Sequence, residues 1–340
     1  MVLKMLSEAP GVAGHEQAVR AIIRAEIEGL VDVIESDTIG NMIAIKNPDA
    51  PGPKIMFAAH MDEVGMIITG FERSGFLRFR KAGGIDDRVL LSKTVRVGKE
   101  QLPGVIGSKP IHLQEPRERQ HPVRMRDMYI DIGAKNKEDA QKRVKLGDVV
   151  VFDTQYSEFG DGFVKGKAMD DRVGCAVLIS LLKEQTSLPI YACFTVQEEI
   201  GLRGSAIAAH RVHPDMGVAL EGTVSNELAE VEPEFHVTNL GAGPALTVMD
   251  AATIPNRKML KELIRLAEHS ELPYQFRRTT GGGTDAGRMS LAHTGVPTVG
   301  VSVPCRYIHA PVSVACQDDF KNTVKLLSLF LKSIEGGFRP

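Results

Sequence analysis

The sequence predicts an α/β fold in which a large domain is interrupted by a smaller, β-rich one. Helical and strand-like patterns alternate in residues 1–65 and again in residues 163–340, whereas the stretch 66–162 contains mainly short β-like runs. The chain has 340 residues, 43% of them hydrophobic, so it can bury a large core. We therefore expect one discontinuous α/β domain, 1–65 with 163–340, and an inserted β-rich domain at 66–162.

Before the insert, the chain shows one helical pattern and three strand-like runs. Apolar residues recur at helical spacing in residues 16–31. Runs rich in strand-forming residues predict strands at 32–36, 41–47 and 54–60. Within the insert, glycine, proline and charged residues separate further β-like runs, at 65–71, 76–81, 94–98, 102–108 and 128–134, with one helical piece at 137–145.

After the insert, helical and strand-like patterns alternate again, as an α/β domain requires. The predicted helices lie at 170–185, 205–212, 256–270 and 316–337. The predicted strands lie at 189–196, 216–222 and 297–303.

Composition excludes several functional classes. The formal net charge of −2 gives no basic field that would attract nucleic acid or an anionic membrane surface. Apolar stretches such as 173–182 are shorter than the roughly 20 residues that a bilayer span needs. The N-terminus lacks the pattern of a secretory signal. The four cysteines are scattered, which favours reduced thiols and a cytoplasmic location.

Acidic and histidine residues recur where the predicted α/β elements begin or end. His60 with Asp62, and Glu198 with Glu199, follow strands; Asp170 with Asp171 precedes a helix; Glu221 ends a strand; and His309 follows one. Taken singly, each has an ordinary explanation, such as a helix cap or a solvated strand end. Sites in open α/β sheets form outside the carboxyl ends of strands, so we expect these residues to converge.

Carboxylates combined with imidazoles, without a thiolate cluster, suit Zn²⁺, Co²⁺ or Mn²⁺ in a hydrolytic site. Two adjacent metal ions need a bridging carboxylate, terminal ligands and one free acid that handles the proton of water. Successive side chains of a strand point to opposite faces. Glu198 and Glu199 can therefore have different roles, one facing the water and the other binding a metal ion.

Six motifs occur in the order found in one known family: "AAHMDEVG", "KAMDDRVG", "TVQEEIGLRG", "LEGT", "GGGTDAGRM" and "VPCRYIHAP". "GVIGSKPIHL" and "MYIDIGA" in the insert match as well. By these motifs the chain resembles, over essentially its whole length, the M42 family of metallo-aminopeptidases, which includes glutamyl aminopeptidases and tetrahedral TET peptidases. The resemblance implies a zinc-peptidase-like α/β/α catalytic domain with a mixed sheet, interrupted by a small β-barrel-like domain.

The resemblance also implies a set of metal ligands. Asp170 would bridge two divalent ions, of which Zn and Co fit best. His60 and Glu221 would complete one site, and Glu199 and His309 the other. Many relatives carry Asp at the position of Glu221, but both residues are oxygen donors, so we expect ligation to be retained.

Two further residues receive catalytic roles from the resemblance. Glu198 would be the general base, and Asp62 would orient His60. The implied reaction removes N-terminal residues from short peptides. The implied assembly is a dimer, and beyond it a tetrahedral dodecamer, built by the insert.

The residues themselves leave alternatives open. The same metal framework serves deacylases and carboxypeptidases, and some similar sequences are called endoglucanases. A glycosidase needs two carboxyl groups but no histidine ligand, so the histidines argue against it. A metal-binding scaffold without catalysis would not need Glu198. Residues 279–287, rich in glycine, would supply N–H donors or only a turn, and Arg306 would favour an acidic substrate or form a structural ion pair.

Overall fold

Two β-sheets contain the seventeen strands found among residues 2–340, the part of the chain that the computed structural model describes. The strands are β1 (Val33–Ser36), β2 (Met42–Lys46), β3 (Ile55–His60), β4 (Gly65–Phe71), β5 (Leu77–Ala82), β6 (Thr94–Val97), β7 (Leu102–Ser108), β8 (Met128–Asp131), β9 (Val149–Phe152), β10 (Ser157–Phe159), β11 (Phe163–Gly166), β12 (Ile190–Thr195), β13 (Met216–Val224), β14 (Ala245–Thr247), β15 (Gln275–Arg277), β16 (Thr298–Arg306) and β17 (Ser313–Cys316). The α-helices are α1 (Val2–Glu8), α2 (Gln17–Ile27), α3 (Lys137–Arg143), α4 (Met169–Lys183), α5 (Arg203–Val212), α6 (Arg257–His269), α7 (Asp285–Ser290) and α8 (Gln317–Glu335).

The larger sheet has eleven strands, and its centre is parallel. Its main path runs β1-β2-β12-β3-β13-β16-β17-β11-β10, and β14 and β15 extend from β16. The neighbours β12, β3, β13 and β16 are parallel, whereas the strands on either side of them pair antiparallel. Parallel strands end at the same edge of a sheet, so the loops that follow β3, β12, β13 and β16 meet there.

Helices cover both faces of this sheet. Helices α1, α2, α4, α6 and α8 contribute to one apolar core, and α5 and α7 contribute to another. Successive residues of β2 alternate between the two cores, since Met42 belongs to the first and Ile43 to the second. Among residues 2–340, none of the helices combines the length and the hydropathy that a membrane span requires.

The β-rich stretch forms a closed barrel with its own core. Its strand order is β4-β5-β8-β7-β6-β9. Alternate residues point inward, such as Met66 and Ile68 in β4 and Val95 and Val97 in β6. Closure leaves no unpaired sheet edge in this part of the molecule.

The predicted fold class is confirmed: a mixed α/β sheet structure is interrupted by a small barrel. The unpredicted elements include α1, β9, β10, β11, β14, β15 and β17, which are three to seven residues long, too short for a clear periodic signal. The helix predicted at 16–31 ends at Ile27, and Gly29 follows with a φ of 82°. Strand β10 lies inside the predicted insert but pairs with β11 in the larger sheet. The boundaries at 66 and 162 stay a prediction.

A buried ion network joins α1 to the segments that flank β3 and α4. Glu63 accepts hydrogen bonds from Lys167 Nζ at 2.7 and 2.8 Å, and its Oε1 lies 3.3 Å from Arg172 Nη2. Arg172 also donates to the carbonyl oxygens of Met61 at 2.9 Å and Ala9 at 3.0 Å. All three charged side chains are buried. Removing one partner would therefore leave an uncompensated charge in the interior.

We expect Glu63→Gln to lower the free energy of unfolding by about 3–5 kcal/mol, because Lys167 and Arg172 then remain buried without a carboxylate. Denaturant unfolding followed by circular dichroism measures the change. Lys321→Met removes an exposed ion pair with Asp318 of 2.8 Å and serves as the control, with an expected loss below about 1 kcal/mol. Similar, small losses in both variants would contradict the prediction.

Candidate active site

The residues singled out in the sequence converge at the edge where the parallel strands end. His60 is the last residue of β3, Glu198 and Glu199 follow β12, Glu221 lies in β13, and His309 follows β16. Asp170 lies at the start of α4, which packs against β3 and β13. All of the residues singled out except Asp62 and Asp171 line one cavity of about 450 Å³. Five distant segments of the chain therefore meet in a single site.

The carboxylate of Asp170 lies between the two histidines. Its Oδ1 is 3.4 Å from His60 Nε2, and its Oδ2 is 3.6 Å from His309 Nε2. Asp170 and Asp171 have non-helical φ and ψ angles, although they lie at the first turn of α4. Each oxygen of Asp170 thus faces a different imidazole.

The potential ligand atoms form two groups, one that includes Asp170 and one that lies next to it. The first contains His60, Asp171 and Glu221, and the second contains Asp170, Glu199 and His309. In each group the candidate ligand atoms lie within 4.8 Å of one another. Glu221 Oε2 is 3.7 Å from His60 Nε2, and Glu199 Oε2 is 3.4 Å from His309 Nε2. The arrangement can hold two cations side by side.

Asp171 lies in the first group, but its carboxylate already serves the backbone. One oxygen accepts the N–H of His60 at 3.1 Å, and the other accepts the N–H of Gly174 at 3.0 Å. Asp171 therefore ties the end of β3 to α4. The sequence analysis includes Asp171 among the residues expected to converge, but it assigns no separate role to it.

Glu198 and Glu199 have different surroundings. Glu199 belongs to the second ligand group, whereas Glu198 belongs to neither. Glu198 Oε2 nevertheless lies 3.9 Å from His60 Nε2, at the side of the cluster. The carboxylate of Glu199 thus lies within a ligand group, whereas that of Glu198 lies beside the two groups.

The turn that carries these glutamates is held by side chains from elsewhere. Four successive backbone N–H groups, those of residues 196–199, each donate to a side-chain oxygen. The acceptors are Asn41 for residue 196 at 3.0 Å, Glu16 for residue 197 at 3.3 Å, and Asp62 for residues 198 and 199 at 2.9 and 3.1 Å. Backbone N–H groups that leave a strand must find such partners when they are buried. These hydrogen bonds fix the backbone from which the side chains of Glu198 and Glu199 project.

Asp62 contacts both the ring of His60 and the glutamate pair. His60 Nδ1 lies 3.1 Å from the carbonyl oxygen of Asp62 and 3.5 Å from its carboxylate. The carboxylate also accepts the two N–H groups of Glu198 and Glu199. Asp62 is therefore linked both to the imidazole and to the glutamate pair.

Burial and mutual repulsion dominate the electrostatics of the cluster. Burial raises the pKa of Glu198 to about 9 and that of Glu199 to about 7. Burial alone would lower the pKa of His309, but Asp170 and Glu199 raise it to about 9. Burial also opposes the charged form of His60, yet Glu198 and Asp170 hold its pKa well above the ordinary value. The clustered acids therefore favour positively charged partners.

Lysine and arginine side chains of the described residues do not pair with these acids. Within residues 2–340, the ion pairs of Asp170, Glu198, Glu199 and Glu221 are formed with histidines and with no lysine or arginine. Glu199 Oε1 is buried and has no hydrogen-bond partner. Clustered carboxylates and imidazoles of this kind are suitable ligands for divalent cations, so the residues present fit such ions.

The rest of the cavity wall includes residues that sequence reasoning left open or missed. The glycine-rich segment 281–283 lines it, and so does Arg277 of the short strand β15. Asp285 lies behind the cluster, where its N–H donates to Glu221 Oε1 at 3.0 Å. Arg306 lies outside the cavity wall and pairs with Glu227 at 2.9 Å. Arg306 was predicted either to favour an acidic substrate or to form a structural ion pair, and the structure contains the ion pair.

Comparison with known proteins assigns the family. The sequence model of the M42 glutamyl aminopeptidase family matches residues 40–326. A putative aminopeptidase of Acetivibrio thermocellus is 39% identical over 333 residues, which are 96% of each chain. The TET aminopeptidase of a marine sediment archaeon of the Thaumarchaeota is 35% identical, with a TM-score of 0.94 over 98% of this chain and 97% of its own.

A second solved structure is similar over nearly the same length. The TET1 peptidase of Pyrococcus horikoshii is 34% identical, with a TM-score of 0.86 over 97% of this chain and 98% of its own. That protein is described as assembling into a tetrahedron or a large octahedral shell. With its motifs, its fold and these relatives, the chain belongs to the M42 family of aminopeptidases and is a hydrolase of peptide bonds.

Proposed function

We propose that this chain is a dinuclear, metal-dependent aminopeptidase that removes N-terminal residues from short peptides. The observation that carries the proposal is the position of Asp170, whose two carboxylate oxygens face His60 and His309 respectively. A carboxylate that faces two ligand groups is what a pair of adjacent cations requires. The family of peptidases to which the chain belongs supports the same reaction.

In this proposal, Asp170 would be shared by two divalent ions, of which Zn and Co would suit the donors best. His60 and Glu221 would complete one site, and Glu199 and His309 the other. Asp171 is left outside the proposed ligand set, and its two oxygens accept backbone N–H groups that tie β3 to α4. When bound, the ions would supply Lewis acidity, which polarises the scissile carbonyl group and lowers the pKa of water.

Glu198 moves the proton in the proposed reaction. Its carboxylate takes a proton from the attacking water and delivers it to the leaving amine. Two features support this role: Glu198 lies outside both ligand groups, and it lines the cavity. Asp62 acts through the backbone, since it holds the N–H groups of Glu198 and Glu199 and contacts the ring of His60.

We further propose that the chain forms dimers and a tetrahedral dodecamer through the barrel. The description of the Pyrococcus horikoshii peptidase supports a closed assembly. The loop between β7 and β8 exposes two large apolar side chains, Ile111 at 60% and Leu113 at 67%, and such side chains often lie at interfaces. The four cysteines are free, which is consistent with the predicted cytoplasmic location.

Glu198→Gln and Glu199→Gln should fail in different ways. We expect Glu198→Gln to keep its metal ions and to lose about 10²–10⁴-fold in kcat, the usual worth of a general base. We expect Glu199→Gln to lose metal first, because it removes a charged ligand. Metal analysis after gel filtration, together with kcat at saturating substrate, separates the two. If Glu198→Gln lost its metal and Glu199→Gln kept it, the roles would be reversed.

Blocking the α-amine should abolish cleavage. An aminopeptidase recognises the free N-terminus, which the acidic cluster is suited to attract. Short peptides with free and acetylated N-termini, compared by mass spectrometry, measure this. A chelator should stop the reaction on the free peptides, because the metal ions supply the Lewis acidity that the proposed reaction needs. Equal cleavage of both peptides would instead favour a deacylase, a carboxypeptidase or another hydrolase.

Light scattering should give a particle of about twelve chains of 37.0 kDa. Ile111→Asp with Leu113→Asp should produce smaller species, because charges then replace apolar contacts of the barrel. Met5→Asp, which changes an exposed apolar residue of α1, serves as the control and should leave the particle intact. An active monomer of the unchanged chain would refute the assembly but not the chemistry.

A further inference from the structure

A turn of the inserted barrel reaches the second ligand group. This barrel turn, residues 83–86, follows β5, and its Gly84 lines the same cavity as the ligand residues. A β-carbon built on Gly84 would lie 3.2 Å from Nδ1 of His309 and 3.7 Å from Cε1. The backbone of the barrel turn therefore lies against the imidazole ring, and the second ligand group has a wall that belongs to the insert.

Two glycines permit this close approach. Gly83 has a φ of 87°, a left-handed conformation that residues with a β-carbon rarely adopt. A β-carbon on Gly83 would lie 2.8 Å from Cγ1 of Val64 and 3.3 Å from Cβ of Glu199. At both Gly83 and Gly84, a side chain would therefore press on a member of the second ligand group. The glycines lie where the backbone of the barrel comes closest to the site.

The two ring nitrogens of His309 face different partners. Nε2 lies 3.4 Å from Glu199 Oε2 and 3.6 Å from Asp170 Oδ2, so Nε2 is the atom that a cation in the second group would meet. Nδ1 faces the barrel turn, and the ring forms a hydrogen bond with the backbone of Gly84. A neutral imidazole carries one N–H, so an acceptor at Nδ1 leaves the lone pair of Nε2 free for a metal ion.

The first ligand group shows the same arrangement with an acceptor from another part of the chain. His60 Nδ1 lies 3.1 Å from the carbonyl oxygen of Asp62, and His60 Nε2 lies 3.4 Å from Asp170. A metal-binding histidine usually donates its other N–H to such an oxygen, which fixes the tautomer and the orientation of the ring. Asp62 follows β3 of the larger sheet, whereas Gly84 follows β5 of the barrel. Each sheet thus supplies one backbone acceptor.

Contacts within the barrel hold the barrel turn. Lys81 Nζ donates to the carbonyl oxygen of Ile85 at 2.6 Å and to Asp87 Oδ1 at 2.6 Å, so its side chain spans the turn. Ile85 is buried in the apolar core of the barrel. The position of Gly84 is therefore set by the barrel and not by the ligand residues that it approaches.

We propose that the inserted barrel completes the second ligand group, and that Gly84 positions the imidazole of His309 for a divalent cation. This inference rests on the proposed function through the two metal sites alone, and it requires no particular substrate. Gly84 is a positioning residue, because it acts through His309. Displacing the barrel turn should weaken the ion of the second group and spare the ion that His60 and Glu221 would hold.

Titration of the metal-free protein with Zn²⁺, followed by calorimetry, tests the proposal without turnover. We expect the unchanged chain to bind two ions and Gly84→Ala to weaken one of the two binding events by about 10–100-fold, the usual effect of losing a group that orients a ligand. Gly70→Ala in β4 of the same barrel is the matched control, since a β-carbon there would meet Arg78 at an ordinary 3.5 Å. The control should leave both affinities unchanged.

A double-mutant cycle with His309→Ala separates an effect through His309 from a general one. Both single variants should weaken the same binding event. In the His309→Ala background, Gly84→Ala should leave the remaining affinity unchanged. An equal loss from Gly84→Ala with and without His309 would overturn the proposal, and so would two ions bound by Gly84→Ala with unaltered affinities.

Lys81→Met loosens the barrel turn without placing an atom beside the site. We expect it to weaken the same binding event by a smaller factor, with circular dichroism showing an intact fold. If Gly84→Ala did not fold, unaltered affinities in Lys81→Met would overturn the proposal instead. Fewer than two ions on the unchanged chain would refute the dinuclear function itself, which distinguishes that failure from a failure of this inference alone.

Discussion

The buried carboxylate of Glu63 holds together the segments that carry the candidate active site. It accepts hydrogen bonds from Lys167 and from the N–H of Gly11, and it lies beside Arg172. Glu63 follows His60 by three residues, and Lys167 precedes Asp170 by three, so one ion network ties both ligand segments to the region after α1. Burying such charges brings little net stability, and their worth here is to fix one arrangement.

Hydrogen bonds also hold the carboxylates of the ligand groups in one arrangement, and here the donors are backbone N–H groups. Asp62 accepts two such bonds, Asp171 accepts two, and Glu221 accepts one from Asp285. Like charges at close range repel, so the folded chain must restrain these side chains by other contacts. These hydrogen bonds therefore keep the carboxylates in place against their mutual repulsion.

The fold and the residues that converge were largely predictable, because strand ends in α/β proteins meet at one edge and the acids and histidines lie at those ends. The acceptors Glu16 and Asn41 were not, since they hold residues 197 and 196 across more than 150 positions of sequence. Neither was Arg277, which lies in a strand of three residues with no periodic signal. Local patterns reveal which residues end an element, whereas partners brought from afar depend on the whole tertiary structure.

The order of the site residues along the chain has a consequence for biosynthesis. Their positions run from His60 to His309, so the second ligand group is incomplete until nearly all of the 340 residues have been made. His309 lies in the loop between the paired strands β16 and β17, from which it faces Asp170. A nascent chain that has not yet reached His309 therefore lacks the complete second ligand group. A centre built in this order is completed only late in synthesis.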